Sequence, residues 1–356
     1  MTSQGNGLYV ILGNDSDGLD FMYYYDGEGF LRGEVPLIGY RSHRLLFQNG
    51  LMYYSISETK IAAMNRLGQI ERVYNLGQYE LHHDYVFDDN GDMLILATDT
   101  ESDSVEDMVV RLDLDTGAVD CVLDLGELFG DYKATCVENS DGDLDWIHIN
   151  TIQWLGSEEI LLSSRETSTI IKVGNLYSSP EAEYLIGEAD FWEGTGYEDL
   201  VLTKDESSGE FSGTGGQHSI TYVEDSSLPE GQYYLYMFNN NMGISETRPD
   251  YDWTRIDGIE TEVSDEGTSY YYRYLVDENA GTYTLTDFFA LPFSAYVSSV
   301  QEYGDGTVLA DSGMQGIFGE YTRDGELIKQ FSMELAGNFI YRVYRYDLTG
   351  FLQGNS

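Results

Sequence analysis

The chain is short of several things. Its 356 residues include only 2 cysteines, 5 prolines and 5 histidines, and 18 lysines and arginines face 63 aspartates and glutamates. The formal net charge of −45 repels phosphate backbones and anionic lipid alike, so no nucleic-acid or membrane partner is expected. It favours solubility. It also means that any anionic substrate needs a locally positive pocket. No apolar run approaches the ~18 residues of a membrane helix. The opening "MTSQGNGLYVILG" lacks the basic stretch and cleavage pattern of a signal peptide. Cys121 and Cys136 leave the redox compartment open.

What is present points to β-structure. Apolar residues make up 42% and aromatics 14%, with 30 tyrosines, and 39 glycines punctuate the strand-like runs. One pattern recurs: strand, Gly turn, strand, strand, Asp/Gly turn, strand. It runs over 43–77, 83–126, 148–187 and 298–333, and over a longer stretch that starts at residue 218. Four short antiparallel strands at a period of about 40 residues mean propeller blades. The ends supply one more. "NFIYRVYRYDLTG" would be its inner strand, and "LYVILGN", "DFMYYYDGEG" and "FLRGEVPL" the outer three. Sharing a blade between the termini closes the ring and removes free edges. The expected fold is all-β, a six-bladed β-propeller formed by a single domain over 1–356, with seven blades as the competitor. Long inserts, such as "GEADFWEGTGYEDLVLTKDESSGEFSGTGGQ" and "SETRPDYDWTRIDGIETEVSDEG", suit a substrate entrance.

The five histidines, His43, His82, His83, His148 and His218, all fall at the start of a repeat's first strand, which in a propeller lines the central channel. Aligning the repeats brings Ser42, His83, Asn150, His218 and Ser298 to equivalent places. His82 and His83 are adjacent, so only one can point inward, and the alignment favours His83. In "DWIHINTIQWLGSEEILLSSR", a hairpin with its turn at 155–159, alternation puts His148 and Asn150 on one face. Arg165 closes the second strand. Its guanidinium offers a planar fork to an oxyanion; the plain alternative is an ion pair with a nearby acid. Taken together, these groups suit an anion site.

"ELHHDYVFDDNGDMLIL", "DWIHINTIQW", "LLSSR", "GQHSITYV" and "YRVYRYDL" together resemble the bacterial aryl sulfotransferases. The resemblance runs from about Tyr40 to Leu348. It implies transfer of a sulfuryl group from a phenolic sulfate ester to a phenolic acceptor, by ping-pong chemistry through a sulfohistidine and without a phosphoadenosine cofactor. Carried onto this chain, the nucleophile is His218, and His83 (His82 as fallback) and Arg165 are catalytic. His148, Asn150, Ser298 and Tyr341 (or Tyr344) are substrate-binding. An extracytoplasmic location is implied, with small-molecule donor and acceptor as partners. Two departures are visible. There is too little sequence before the first strand for the family's N-terminal β domain, so a monomer or weak homodimer is expected. Cys121 and Cys136 also lie well before His218, so the family's short-spaced disulfide is missing.

No cofactor or metal is expected. A metal-dependent ester hydrolase built on the histidines is the first rival, weakened because no acidic ligand has a fixed place among them and Arg165 would repel a cation. A non-catalytic binding propeller is the second. The acidic "SDGDLDW" lacks the turn Gly and later Glu of a calcium loop, and no helix pattern follows "GTGGQ" to make it a nucleotide loop. Tyr197, Phe211, Trp192 and Tyr222 are candidates to hold phenol rings.

Overall fold

A computed structural model of the chain describes residues 7–14, 21–37, 42–335, 337 and 339–353. Tyr40, named above as the start of the resemblance, lies outside them. Among the described residues the strands form six antiparallel sheets of four, one extended by a fifth strand that runs parallel to its neighbour. The fold is a six-bladed β-propeller. Among the described residues no helix is long and apolar enough to cross a membrane. Cys121 and Cys136 are free thiols.

Middle strands are buried on both faces. Met93–Asp99 is rich in Leu, Ile and Ala, the mark of a strand covered on each side. Last strands are half-exposed: Leu31–Pro36 and Leu327–Ser332 alternate, and Arg32, Glu34 and Lys329 keep those edges polar. In the hairpin at the centre of the sequence, Ile149–Gly156 pairs with Glu159–Ser164. Ser157 and Glu158 between them have φ of 54° and 65°, the two positive values of a type I′ turn.

The chain divides into two compact units, Met1–Leu81 with Val297–Ser356, and His82–Tyr296. In the first, Ile340–Tyr346 pairs with Leu8–Asn14, which pairs with Phe21–Tyr25 and then Leu31–Pro36. The shared blade thus has the strand order expected from sequence.

Within each unit, side chains on inner strands brace the next blade. In the second unit, Asp84 Oδ2 accepts from the Ile152 N–H (3.2 Å) and Thr151 Oγ1 from the Ser219 N–H (3.0 Å). In the first, Ser299 Oγ accepts from the Val343 N–H (3.0 Å) and Gln301 Oε1 from the Arg345 N–H (2.8 Å). These polar groups are buried but satisfied, so they add to stability and fix register.

Deleting residues 340–356 should remove the cooperative melt. It strips a hydrogen-bonded partner from Leu8–Asn14 and removes the buried Ile340, Tyr341, Val343 and Tyr344. Each such side chain is worth about 1.5–3 kcal/mol, and a whole domain has a margin of only about 5–15 kcal/mol. Circular dichroism would show this. A cooperative transition near the parent temperature would contradict the closing role of the strand.

Candidate active site

The second unit gathers three of the predicted histidines. His83 lies within the strand Tyr79–Phe87, His148 immediately precedes Ile149–Gly156, and His218 opens His218–Val223. The His83 and His148 rings are 4.9 Å apart. Both residues have positive φ, 51° and 44°. A non-glycine residue pays about 1–3 kcal/mol for that conformation, and such residues gather at functional sites. The positive φ corrects one expectation. His148 stands outside the strand, so pleat alternation does not reach it, and it does not share a face with Asn150. The imidazole turns to acidic loops, whereas the Asn150 amide donates to the Gln217 carbonyl (2.8 Å).

Two carboxylates sit among the histidines, against the expectation that no acid has a fixed place there. Glu106 Oε2 lies 2.7 Å from His148 Nδ1 and 3.1 Å from His83 Nε2. Asp145 Oδ2 lies 2.6 Å from the same His148 nitrogen. Both acids come from irregular segments, one ahead of Met108–Leu112 and the other ahead of Ile149–Gly156, where no periodicity marks a direction. Glu106 has φ of 57°, and its N–H donates to Thr98 Oγ1 (2.8 Å). Asp145 and His148 are separated by three residues, so a short loop supplies both partners.

Arg165 follows Glu159–Ser164 and makes ion pairs with nearby acids, the plain alternative to an oxyanion fork. Its Nη2 is 3.4 Å from Asp145 Oδ2 and 3.5 Å from Glu166 Oε2. These are long contacts from one nitrogen, not a bidentate fork, and 30% of the side chain remains accessible.

The charge states follow from these neighbours. Burial and the Arg165 charge both oppose a proton on His148, but Asp145 and Glu106 outweigh them and hold its pKa at about 9. Burial likewise opposes the charge of Glu106, yet His148, His83 and His82 keep its carboxyl well below the usual range. His82 is pushed down to about 3, by burial first, against the pull of Glu106. His218 goes the same way. Burial lowers it well below the ordinary value, and the charges of His83, His148 and Arg165 add to this, against the hydrogen bond to Asn240. His218 Nδ1 is 2.9 Å from the Gly216 carbonyl and 2.8 Å from Asn240 Oδ1. Gly216 has φ of 59°, and a Cβ there would come within 3.1 Å of the Met242 carbonyl, so glycine is needed to aim that carbonyl.

The remaining candidates make contacts within their own units. His83, not His82, is the histidine bonded to Glu106. In the first unit, Ser298 Oγ accepts from the Gly313 N–H (2.9 Å) and its own N–H donates to the Tyr341 carbonyl (3.0 Å). The Tyr341 ring meets His43 edge-on at 4.9 Å. Tyr344 packs in an apolar cluster with Val10 and Met52. The four aromatics proposed to hold phenols serve packing. Trp192 is fully buried and donates to Thr169; Tyr197 lies on Phe129, Phe211 on Tyr274, and Tyr222 on Tyr233. Sequence reading missed Glu106, Asp145 and Asn240. Only the position of Asp145 in "DWIH", three residues before a histidine, carries a hint.

Metal-binding donor sets also exist here. The ligand atoms of His82, His83 and Glu106, and those of Glu106, Asp145 and His148, each lie within 4.8 Å of one another.

Solved structures share the fold. A protein of unknown function from Bacteroides caccae is 8% identical, with 96% of this chain and 99% of that one covered and a TM-score of 0.50. A protein from Lactobacillus plantarum is 12% identical, with 97% and 86% covered and a TM-score of 0.47. At 8% identity the first likeness speaks to fold alone. No curated protein matches the chain. The arylsulfotransferase (ASST) family model, in contrast, matches residues 1–342, a span that includes all three site histidines and Arg165. With that match the chain belongs to the arylsulfotransferase family, and its chemistry is sulfuryl transfer.

Proposed function

We propose that the protein moves a sulfuryl group from a phenolic sulfate ester to a phenolic acceptor through a sulfohistidine on His218. The observation that carries this reading is the opposite charge state of two buried imidazoles: His148 is held protonated and His218 neutral. Environments that push like groups apart assign their roles. A neutral His218 has an electron pair to attack sulfur. A protonated His148 and Arg165 supply N–H donors and positive charge for the sulfuryl oxygens.

In the first half-reaction an N–S bond forms at His218 while the S–O bond to the phenol breaks. The departing phenolate takes a proton. In the second, an acceptor phenol gives up its proton, its oxygen bonds to sulfur, and the N–S bond breaks. The hydrogen-bonded pair of His83 and Glu106 (3.1 Å) is suited to lend and recover that proton. The transition state is loose, as in phosphoryl transfer, so positioning and charge carry most of the rate. Glu106 and Asp145 carry negative charge beside an anion site. Both are bound to His148, and their cost is offset by the proton they hold there. Asn150 supports the backbone next to His218, and Ser298 and Tyr341 are proposed as contacts to the substrates.

One observation favours a second reading. The carboxylates of Glu106 and Asp145 beside histidine nitrogens suit a divalent cation and ester hydrolysis. A single assay separates the two: 4-nitrophenyl sulfate with or without phenol, and with or without chelator. Transfer needs phenol and ignores chelator. Metal-dependent hydrolysis needs no phenol and stops with chelator.

Donor alone should give a burst of about one equivalent of nitrophenolate per site, and one SO₃ on the peptide that contains His218. His218→Asn should abolish both. A label on His83 or His148 would reassign the nucleophile. Arg165→Lys keeps the charge but loses the planar donor set; turnover should fall at least about tenfold, with the melt unchanged.

The pH dependence has a definite sign. His148 is charged below its pKa of about 9, so transfer should fall as pH rises through about 9. His218 lies well below the ordinary value, so no acidic limb should appear between about pH 6.5 and that fall. Asp145→Asn removes one of the two charges that hold the proton, and should move the alkaline limb down by about 1–2 units. A limb that stays in place would remove His148 from the anion site.

A further inference from the structure

Building on the sulfohistidine reading, which it requires, we propose that Asn240 is the positioning residue of the nucleophile: it fixes His218 as the Nδ1–H tautomer, so that Nε2 carries the electron pair that attacks sulfur.

The geometry of the amide leads to this. Asn240 is fully buried. Its Nδ2 donates to the Ser294 carbonyl at 2.7 Å. A carbonyl oxygen only accepts, so the amide cannot turn over without setting oxygen against oxygen. Its Oδ1 is therefore the atom that meets His218 Nδ1, at 2.8 Å. The Gly216 carbonyl meets the same nitrogen at 2.9 Å. Two acceptors on Nδ1 require a proton there, and a neutral imidazole has only one. The electron pair is left on Nε2. The backbone that carries it is itself anchored, since Ser269 Oγ donates to the Asn240 backbone carbonyl (3.0 Å) and accepts from the Ser294 N–H (2.9 Å).

The comparison with His148 shows why an amide stands here. In both histidines Nδ1 is the anchored atom. At His148 it meets two carboxylates and the ring is charged. At His218 it meets an uncharged amide oxygen and a backbone carbonyl, which orient the ring and leave it neutral. A carboxylate in place of Asn240 would orient His218 equally well but bind a proton to the atom that must attack.

Two variants test this, Asn240→Leu and Asn240→Asp, with three readouts: the rate of the burst, its pH profile, and nitrogen NMR of histidine-labelled protein. In the parent protein the spectrum should show His218 with hydrogen on Nδ1. Asn240→Leu should slow the burst by about 10–100-fold, the usual cost of losing an outer hydrogen-bond partner, with little change in the concentration of donor that half-saturates it. Asn240→Asp keeps the shape, so it serves if the leucine variant does not fold. It should raise the His218 pKa, and the burst should slow as pH falls below neutral, a limb that the parent lacks. A merely structural role for Asn240 would not create that limb. A leucine variant with the parent burst, an aspartate profile that overlays the parent's, or a spectrum with hydrogen on Nε2 would each overturn the proposal. A parent protein that forms no adduct on His218 overturns the sulfohistidine reading and the attacking role with it; the spectrum then still decides whether Asn240 sets the tautomer.

Discussion

The Nδ1 atom of His148 is held between Glu106 and Asp145 at 2.7 and 2.6 Å. One ring nitrogen offers one proton, and two carboxylates compete for it. Removing that proton would leave two anions against a lone pair at short range in a poorly solvated place. The imidazolium is thus the stable form, and much else follows. Burial is the main reason that His218 stays neutral, and the fixed positive charge, joined by Arg165, adds to it by disfavouring a second one nearby. Glu106, already bound to His148, still reaches His83, so the charges of three side chains are linked through one carboxylate. In a protein of net charge −45, two acids are what keep a cationic group in place.

The blades were legible in the sequence because strand alternation and glycine turns repeat, and a repeated pattern carries its own check. The shared blade was legible for the same reason: each half lacked what the other end supplied. The histidines were legible because they are scarce, and their place at the head of each inner strand was a regularity. Glu106 and Asp145 had no such mark. They are 2 of 63 acidic residues, they sit in loops, and Glu106 stands on backbone turned to positive φ, which no periodicity reports. Asn240 was hidden differently. It follows Gln232–Asn239 in "NNN", three identical residues of which only the fold can choose one. The pairing of His148 with Asn150 failed because alternation was extended one residue beyond the strand.

Bracing residues directly follow several candidate residues in the chain. His83 is followed by Asp84, Asn150 by Thr151, and Ser298 by Ser299. The second residue of each pair braces the adjoining blade. A change at a brace would therefore be felt at the site through backbone placement, without touching substrate.

The shared blade has a consequence for synthesis. Leu8 pairs with Tyr346, so this strand leaves the ribosome long before its inner neighbour. At translation rates of about 5–20 residues per second, the wait is roughly 20–70 s. During it, Tyr9, Val10, Ile11 and Leu12, all buried in the finished protein, lack that covering strand, and their backbone edge can pair with any other nascent chain. The longer that interval, the more the earlier segment's fate rests on how fast the later one is made.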